Sequence, residues 1–154
     1  MYSALLALHT LIRWLVLIGL VVAIYRAHQG WRGNLQFSKI DNRVRMGATA
    51  VLHTQFVLGI WLYFISPIVD YFLHNFSVAV HMREIRFFGM EHITMMVVAV
   101  TVVTMGSNLS KRKSADREKF KTMGIWFGIG LLIIFFSIPW KFSPLISRPY
   151  FRLF

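Results

Sequence analysis

The 154-residue sequence contains no cysteine. That absence excludes disulfides, thiolate metal sites, iron–sulfur clusters and covalent haem attachment through Cys-x-x-Cys-His. It leaves imidazole as the strongest ligand available for a transition metal, so the six histidines carry most of the chemical information. Acidic residues are scarce as well: six Asp and Glu face 17 Lys and Arg, for a net charge of +11. In a soluble protein such an excess points to nucleic acid, but its position here argues otherwise. Eleven of the 17 cations fall in two short connections, Arg26, Arg32, Lys39, Arg43 and Arg45 in one and Lys111, Arg112, Lys113, Arg117, Lys119 and Lys121 in the other. Basic loops beside apolar runs meet anionic lipid headgroups, and no nucleic-acid partner is expected.

The apolar runs decide the class. Hydrophobic residues make up 56% of the chain, against about 45–50% in soluble domains. Four segments, about 4–25, 47–67, 87–107 and 123–140, each approach the roughly 20 apolar residues that cross a bilayer. The first lacks the basic lead and small-residue cleavage site of a signal peptide and is too long for one. The expectation is an all-α, integral membrane four-helix bundle of up-down-up-down order, a single domain over residues 1–154. The positive-inside rule puts both basic connections in the cytoplasm, and both termini and the 68–86 connection on the outer side.

One stretch organises the rest: Arg86-Phe-Phe-Gly-Met-Glu91-His92 and the apolar run that follows. Ionisable groups at the mouth of a membrane helix are costly and usually functional. His9 and His53 stand in two other runs. His92 lies about five residues into its run and His9 about five into its own, and both helices enter from the same side. The two imidazoles therefore reach the same depth on helices that lie diagonally in such a bundle. A flat macrocycle fits between them, with His9 and His92 as axial metal ligands. Arg13 shares a face with His9, about 6 Å along the axis. It sits about 13 Å from the outer end of its run, where a guanidinium needs an anion. Glu91 and a haem propionate are the candidates. The competing reading is a structural Arg13–Glu91–His92 network that locks the bundle. His53 approaches from the other face; with Gln55 it is a candidate quinone or proton contact. One haem per chain follows, since helix four has no histidine.

The remaining segments read as scaffolding. Residues 26–46 form a connection with Gly30, Gly33 and Asn34 as turn residues and Asp41 as a helix cap. Gly47 and Ala50 suit close helix packing, and Gly59 leaves room for a neighbouring helix or a macrocycle. Ser66-Pro67 ends the second helix. Residues 68–86 read as an amphipathic segment on the membrane surface that covers a cofactor or a quinone entrance; His74 and His81 there read as solvated. Residues 108–121 form a charged loop, Gly124-x-x-x-Gly128 permits close helix contact, and the tail 143–154 is expected along the outer surface.

Leu8-His9-x-x-x-Arg13-Trp14, His53-x-Gln55, Leu62-Tyr63-Phe-x-Ser66-Pro67, Arg86-Phe87-x-x-x-Glu91-His92-x-x-Met95-Met96 and Ile138-Pro139-Trp140 resemble a family of small four-helix, cytochrome b-like membrane proteins from Bacteroidetes. The resemblance spans nearly the whole chain. It implies haem b, electron transfer and a place in the bacterial inner membrane. More remotely, the helix plan is similar to one half of haem A synthase and to bacterial di-haem cytochromes b. Three function classes follow. The first is a b-type cytochrome that exchanges electrons with a quinone such as menaquinone. The second is a non-haem accessory or assembly subunit. The third is an enzyme that modifies haem or a quinone. A homodimer or a larger respiratory complex is the expected assembly.

Overall fold

Local chemistry sets where each helix begins and ends. Ser38 and Asp41 form a reciprocal capping box: Ser38 Oγ accepts from the Asp41 backbone N–H at 3.2 Å, and Asp41 Oδ2 accepts from the Ser38 N–H at 2.9 Å. The second span therefore starts at Lys39, eight residues before the apolar run, and Ser38 rather than Asp41 is the cap. Pro67 cannot donate to a preceding turn, so one helix stops at Ile65 and the next opens with Pro67 in its first turn.

A computed structural model describes residues 1–140. It contains α1 (Tyr2–Arg32), α2 (Lys39–Ile65), α3 (Pro67–His74), α4 (Phe76–Ala79), α5 (Arg83–Arg86), a π-helical turn (Phe87–Glu91), α6 (His92–Arg112) and α7 (Asp116–Ser137). There is no strand among the described residues. Four continuous helical stretches are long and apolar enough to span a membrane: α1, α2, Arg83–Arg112 and α7. Between 11% and 33% of each apolar window is buried inside the bundle. The outward faces, with Leu11, Leu15, Val57, Phe64, Leu132 and Phe136 exposed, are thus as apolar as the core. That is a surface for lipid, not water. The protein is a membrane helical bundle.

α1 packs against α2 and α7, and α6 packs against the same two helices. α1 and α6 therefore occupy one diagonal of the bundle. The core between the helices is built from Leu20, Ala23, Ala27, Val103, Met123 and Phe127. Glycines draw helices together where large side chains cross: a Cβ on Gly30 would lie 2.3 Å from Phe120 Cε2, and one on Gly106 would lie 2.1 Å from Trp126 Cβ.

Several expected loops are helix. Gly30 lies inside α1 rather than in a turn, and only residues 33–38 connect α1 to α2, with Asn34 at φ 47°. The charged 108–121 segment is mostly α6 and α7, which contribute Lys111, Arg112 and Lys119 among others; residues 113–115 alone link them. Charge here marks the ends of helices that project beyond the apolar zone. Gly47 packs against nothing within 4 Å among the described residues, and neither does Gly128, whereas a Cβ on Gly124 would sit 3.3 Å from Ala27. The 68–86 segment folds into α3, α4 and α5, burying Val69, Phe72 and Ala79 while leaving Tyr71, Leu73, Phe76 and Val78 exposed. The tail 143–154 lies outside the described residues.

Candidate functional site

The diagonal helices α1 and α6 both begin at one end of the bundle, and a cavity lies between them there. Its volume is about 190 Å³. His9, Arg13, Gln55, Gly59, Tyr63 and His92 line it, with Ile68 and Val69 at the start of α3 closing one side and Ile134 and Ile138 of α7 another. Tyr2, Thr10 and Ser66 also line it, and the rest of the wall is aliphatic and aromatic. Polar groups are few and converge, which is the composition of a ligand site.

Each histidine is oriented by its neighbours. His92 Nδ1 lies 3.0 Å from the Ser137 carbonyl oxygen on α7. A carbonyl only accepts, so Nδ1 carries the proton and Nε2 keeps its lone pair. Phe87 and Phe88 flank the ring, with centroids at 5.7 and 6.4 Å. His9 turns toward α2: a Cβ on Gly59 would stand 3.2 Å from His9 Cε1. His9 Nδ1 is buried with no hydrogen-bond partner among the described residues, and so is Gln55 Oε1. A buried polar atom left unmade costs about 1–3 kcal/mol, so two such atoms on one cavity mark a place built for something besides packing.

The π-helical turn leads directly into His92. Such turns insert one residue into a helix and recur at functional sites. Tyr63 Oη donates to the Gly89 carbonyl at 2.9 Å, which satisfies an oxygen in the widened turn. Gly89 has no room for a side chain, since a Cβ would fall 2.3 Å from Phe72 Cγ. α3 thus presses on the turn that aims His92. Neither the turn nor the Tyr63 contact was legible from residue types; the one available signal was Gly89 among bulky neighbours.

Arg13 lines the cavity with its guanidinium 5.7 Å from the ring centroids of both Trp14 and Trp140. Those two rings pack at 5.8 Å, and Trp140 Nε1 donates to the Phe135 carbonyl at 2.8 Å. The aromatic faces attract the cation and hold it in place. Glu91 is placed elsewhere: its carboxylate accepts from Arg86 Nε at 2.6 Å, and Arg86 also donates to the Val80 carbonyl at 3.1 Å. Glu91 therefore ties the π turn to the α4–α5 segment and does not line the cavity.

His53 and Gln55 separate. Two residues on a helix differ by about 200° in direction, so only one can face the cavity. Gln55 does, donating to the His9 carbonyl at 2.8 Å. His53 is exposed on the outside of the bundle, hydrogen-bonded to Thr104 Oγ1 at 2.8 Å. His74 is exposed beside Asp70 at 3.2 Å, and His28 and His81 are exposed. Among the described residues, no three His, Asp or Glu side chains gather as a metal site. No protein-family model, curated protein or solved structure matches the chain.

Proposed function

We propose that the protein is a membrane-bound b-type cytochrome, in which His9 and His92 would hold one haem b. The observation that carries this reading is the pairing of the two imidazoles on one cavity from diagonal helices, with His92 Nδ1 anchored on a backbone carbonyl. Ligating histidines characteristically donate their second ring nitrogen in this way, which fixes the tautomer and the ring orientation. Two imidazoles alone hold a free metal ion poorly, since bare sites take three or four protein ligands. A metal carried in a macrocycle, which would bring further ligands of its own, would suit this pair better than a bare ion. The residues fit that group: two imidazoles, a glycine facing one of them, and a largely apolar wall.

The bound group would supply one-electron exchange. The chain supplies the rest. Ser137 holds His92 in the ligating tautomer, and Gln55 fixes the backbone at His9. Arg13, held against the Trp14 and Trp140 rings, would meet an anionic edge such as a propionate. The bundle surrounds both histidines with a largely apolar wall. Electron exchange with a quinone such as menaquinone belongs to the same reading, as do the bacterial inner membrane and cytoplasmic basic loops expected from the positive-inside rule.

The test is the reduced-minus-oxidised visible spectrum of the detergent-purified protein, with haem counted per chain. The expected result is a sharp low-spin α band and about one haem per chain. A protein that stays colourless after reconstitution with haem contradicts the proposal and leaves the accessory-subunit reading.

A further inference from the structure

The opposite end of the bundle holds a second concavity. It measures about 430 Å³ and is lined by Lys39, Asn42 and Arg43 of α2, Lys111 of α6 and Lys119 of α7, with Phe37 and Ser38 at its edge. Three helices, distant in sequence, bring four cations to one groove. One of the four is neutralised: Lys119 Nζ sits 2.7 Å from Asp116 Oδ1. Lys39, Arg43 and Lys111 are exposed and form no ion pair among the described residues. Lys39 and Arg43 stand four residues apart on one helix face, where like charges repel. Nothing in the groove relieves that repulsion.

Charge behind the groove adds to it. Arg45 is buried, with 4% of its surface exposed. Its guanidinium donates to Ser107 O at 2.9 Å, Ser107 Oγ at 2.6 Å and Asn42 Oδ1 at 2.7 Å, all neutral groups. Its Nε has no partner, and no carboxylate pairs with it, among the described residues. A buried charge without a counter-charge is costly and raises the local potential. By holding Asn42 Oδ1, Arg45 also fixes which way that amide faces. Asp41, the other acid nearby, is engaged by Arg26 at 2.7 Å and by Ser38. Among the described residues, no carboxylate is therefore left to pair with Lys39, Arg43 or Lys111.

Its place in the fold selects the anion. Lys111 stands in the last turn of α6, after the apolar span, and Phe37 packs against Phe120 at the same end, the rings tilted by 51° with centroids 4.8 Å apart. Cations on short spacers at the end of apolar helices stand at the level of lipid headgroups. We infer that this groove binds the phosphodiester headgroup of an anionic membrane lipid.

The test uses the full-length protein in detergent and reads retained lipid by native mass spectrometry, with phosphatidylglycerol and phosphatidylcholine as probes. Wild type should retain phosphatidylglycerol and not phosphatidylcholine. A K39Q/R43Q/K111Q variant should bind phosphatidylglycerol about a hundredfold more weakly, while R112Q/K113Q/R117Q, which removes equal charge outside the groove, should lose less than about tenfold. All six side chains are exposed, and circular dichroism checks that each variant keeps its helices. Equal loss in both variants, or equal retention of both lipids, overturns the proposal. A parallel titration with inorganic phosphate separates the sources. If phosphate binds as tightly as phosphatidylglycerol, the occupant is a soluble anion and the lipid assignment fails.

Discussion

The two ends of the bundle are built on opposite principles. At the basic end, buried polar groups mostly find partners: Asp41 takes bonds from Arg26 and Ser38, and Ser110 Oγ donates to the Lys119 carbonyl at 2.9 Å. Glycines there let helices touch, Gly30 against Phe120 and Gly106 against Trp126. At the other end, the same four helices leave a cavity, and His9 Nδ1 and Gln55 Oε1 on its wall stay without partners among the described residues. A well-packed protein satisfies buried polar groups because each orphan is expensive. The contrast within one small bundle shows that looseness at the histidine end is not a general property of the sequence. Helix contact fills the interior at one end, and a cavity with unpartnered polar atoms lies at the other.

Mutations can break that contrast. The largest expected effect is that of His9→Ala and of His92→Ala, each of which should abolish the low-spin α band while circular dichroism still reports the helical content of wild type. A full bis-histidine spectrum in either variant would show that the removed residue is not a ligand. Next is Gly59→Leu, which fills the cavity beside His9; haem occupancy should fall about tenfold or more, measured as haem per chain, with little change in thermal stability. At the packed end the pattern should invert. Asp41→Ala removes a capping box and a charged hydrogen-bond acceptor and should cost about 2–3 kcal/mol, read as a lowered midpoint in thermal denaturation. Gly106→Ala forces a Cβ against Trp126 and should cost about 1–3 kcal/mol by the same measurement, with ligand absorbance kept in the folded fraction.

The smallest effect sharpens the comparison. Tyr63→Phe removes only the bond to the Gly89 carbonyl, worth about 1 kcal/mol. Because that bond supports the turn that aims His92, the variant should broaden the α band while leaving the melting curve almost unchanged. A change in stability alone would make Tyr63 a packing residue.

Much of the fold was legible because a bilayer simplifies the code. Four apolar runs, a proline at 67 and the equal offsets of His9 and His92 led to a bundle with two imidazoles on diagonal helices. The helix ends were less legible. Hydrophobicity marks where lipid stops, but capping and charge carry α2 back to Lys39 and α6 on to Arg112. Side-chain partners were the least legible. Glu91 was weighed as a partner of Arg13 because a guanidinium inside an apolar run needs an anion, yet Arg86, five residues away across a widened turn, takes the carboxylate. That pairing depends on the π turn, which shifts the register of every residue before His92. His53 was grouped with Gln55 by sequence proximity, although helical geometry places them on opposite faces. The Ser137 anchor of His92 uses a backbone carbonyl, which has no signature in residue type.

The most direct test of the central claim is the axial ligation of the ferric haem in the purified protein, read by electron paramagnetic resonance together with near-infrared magnetic circular dichroism. Two imidazoles held from α1 and α6 predict a low-spin, bis-imidazole signature in wild type and its loss in both single histidine variants. A high-spin signal, a signature with one non-imidazole ligand, or no haem signal at all would contradict the account.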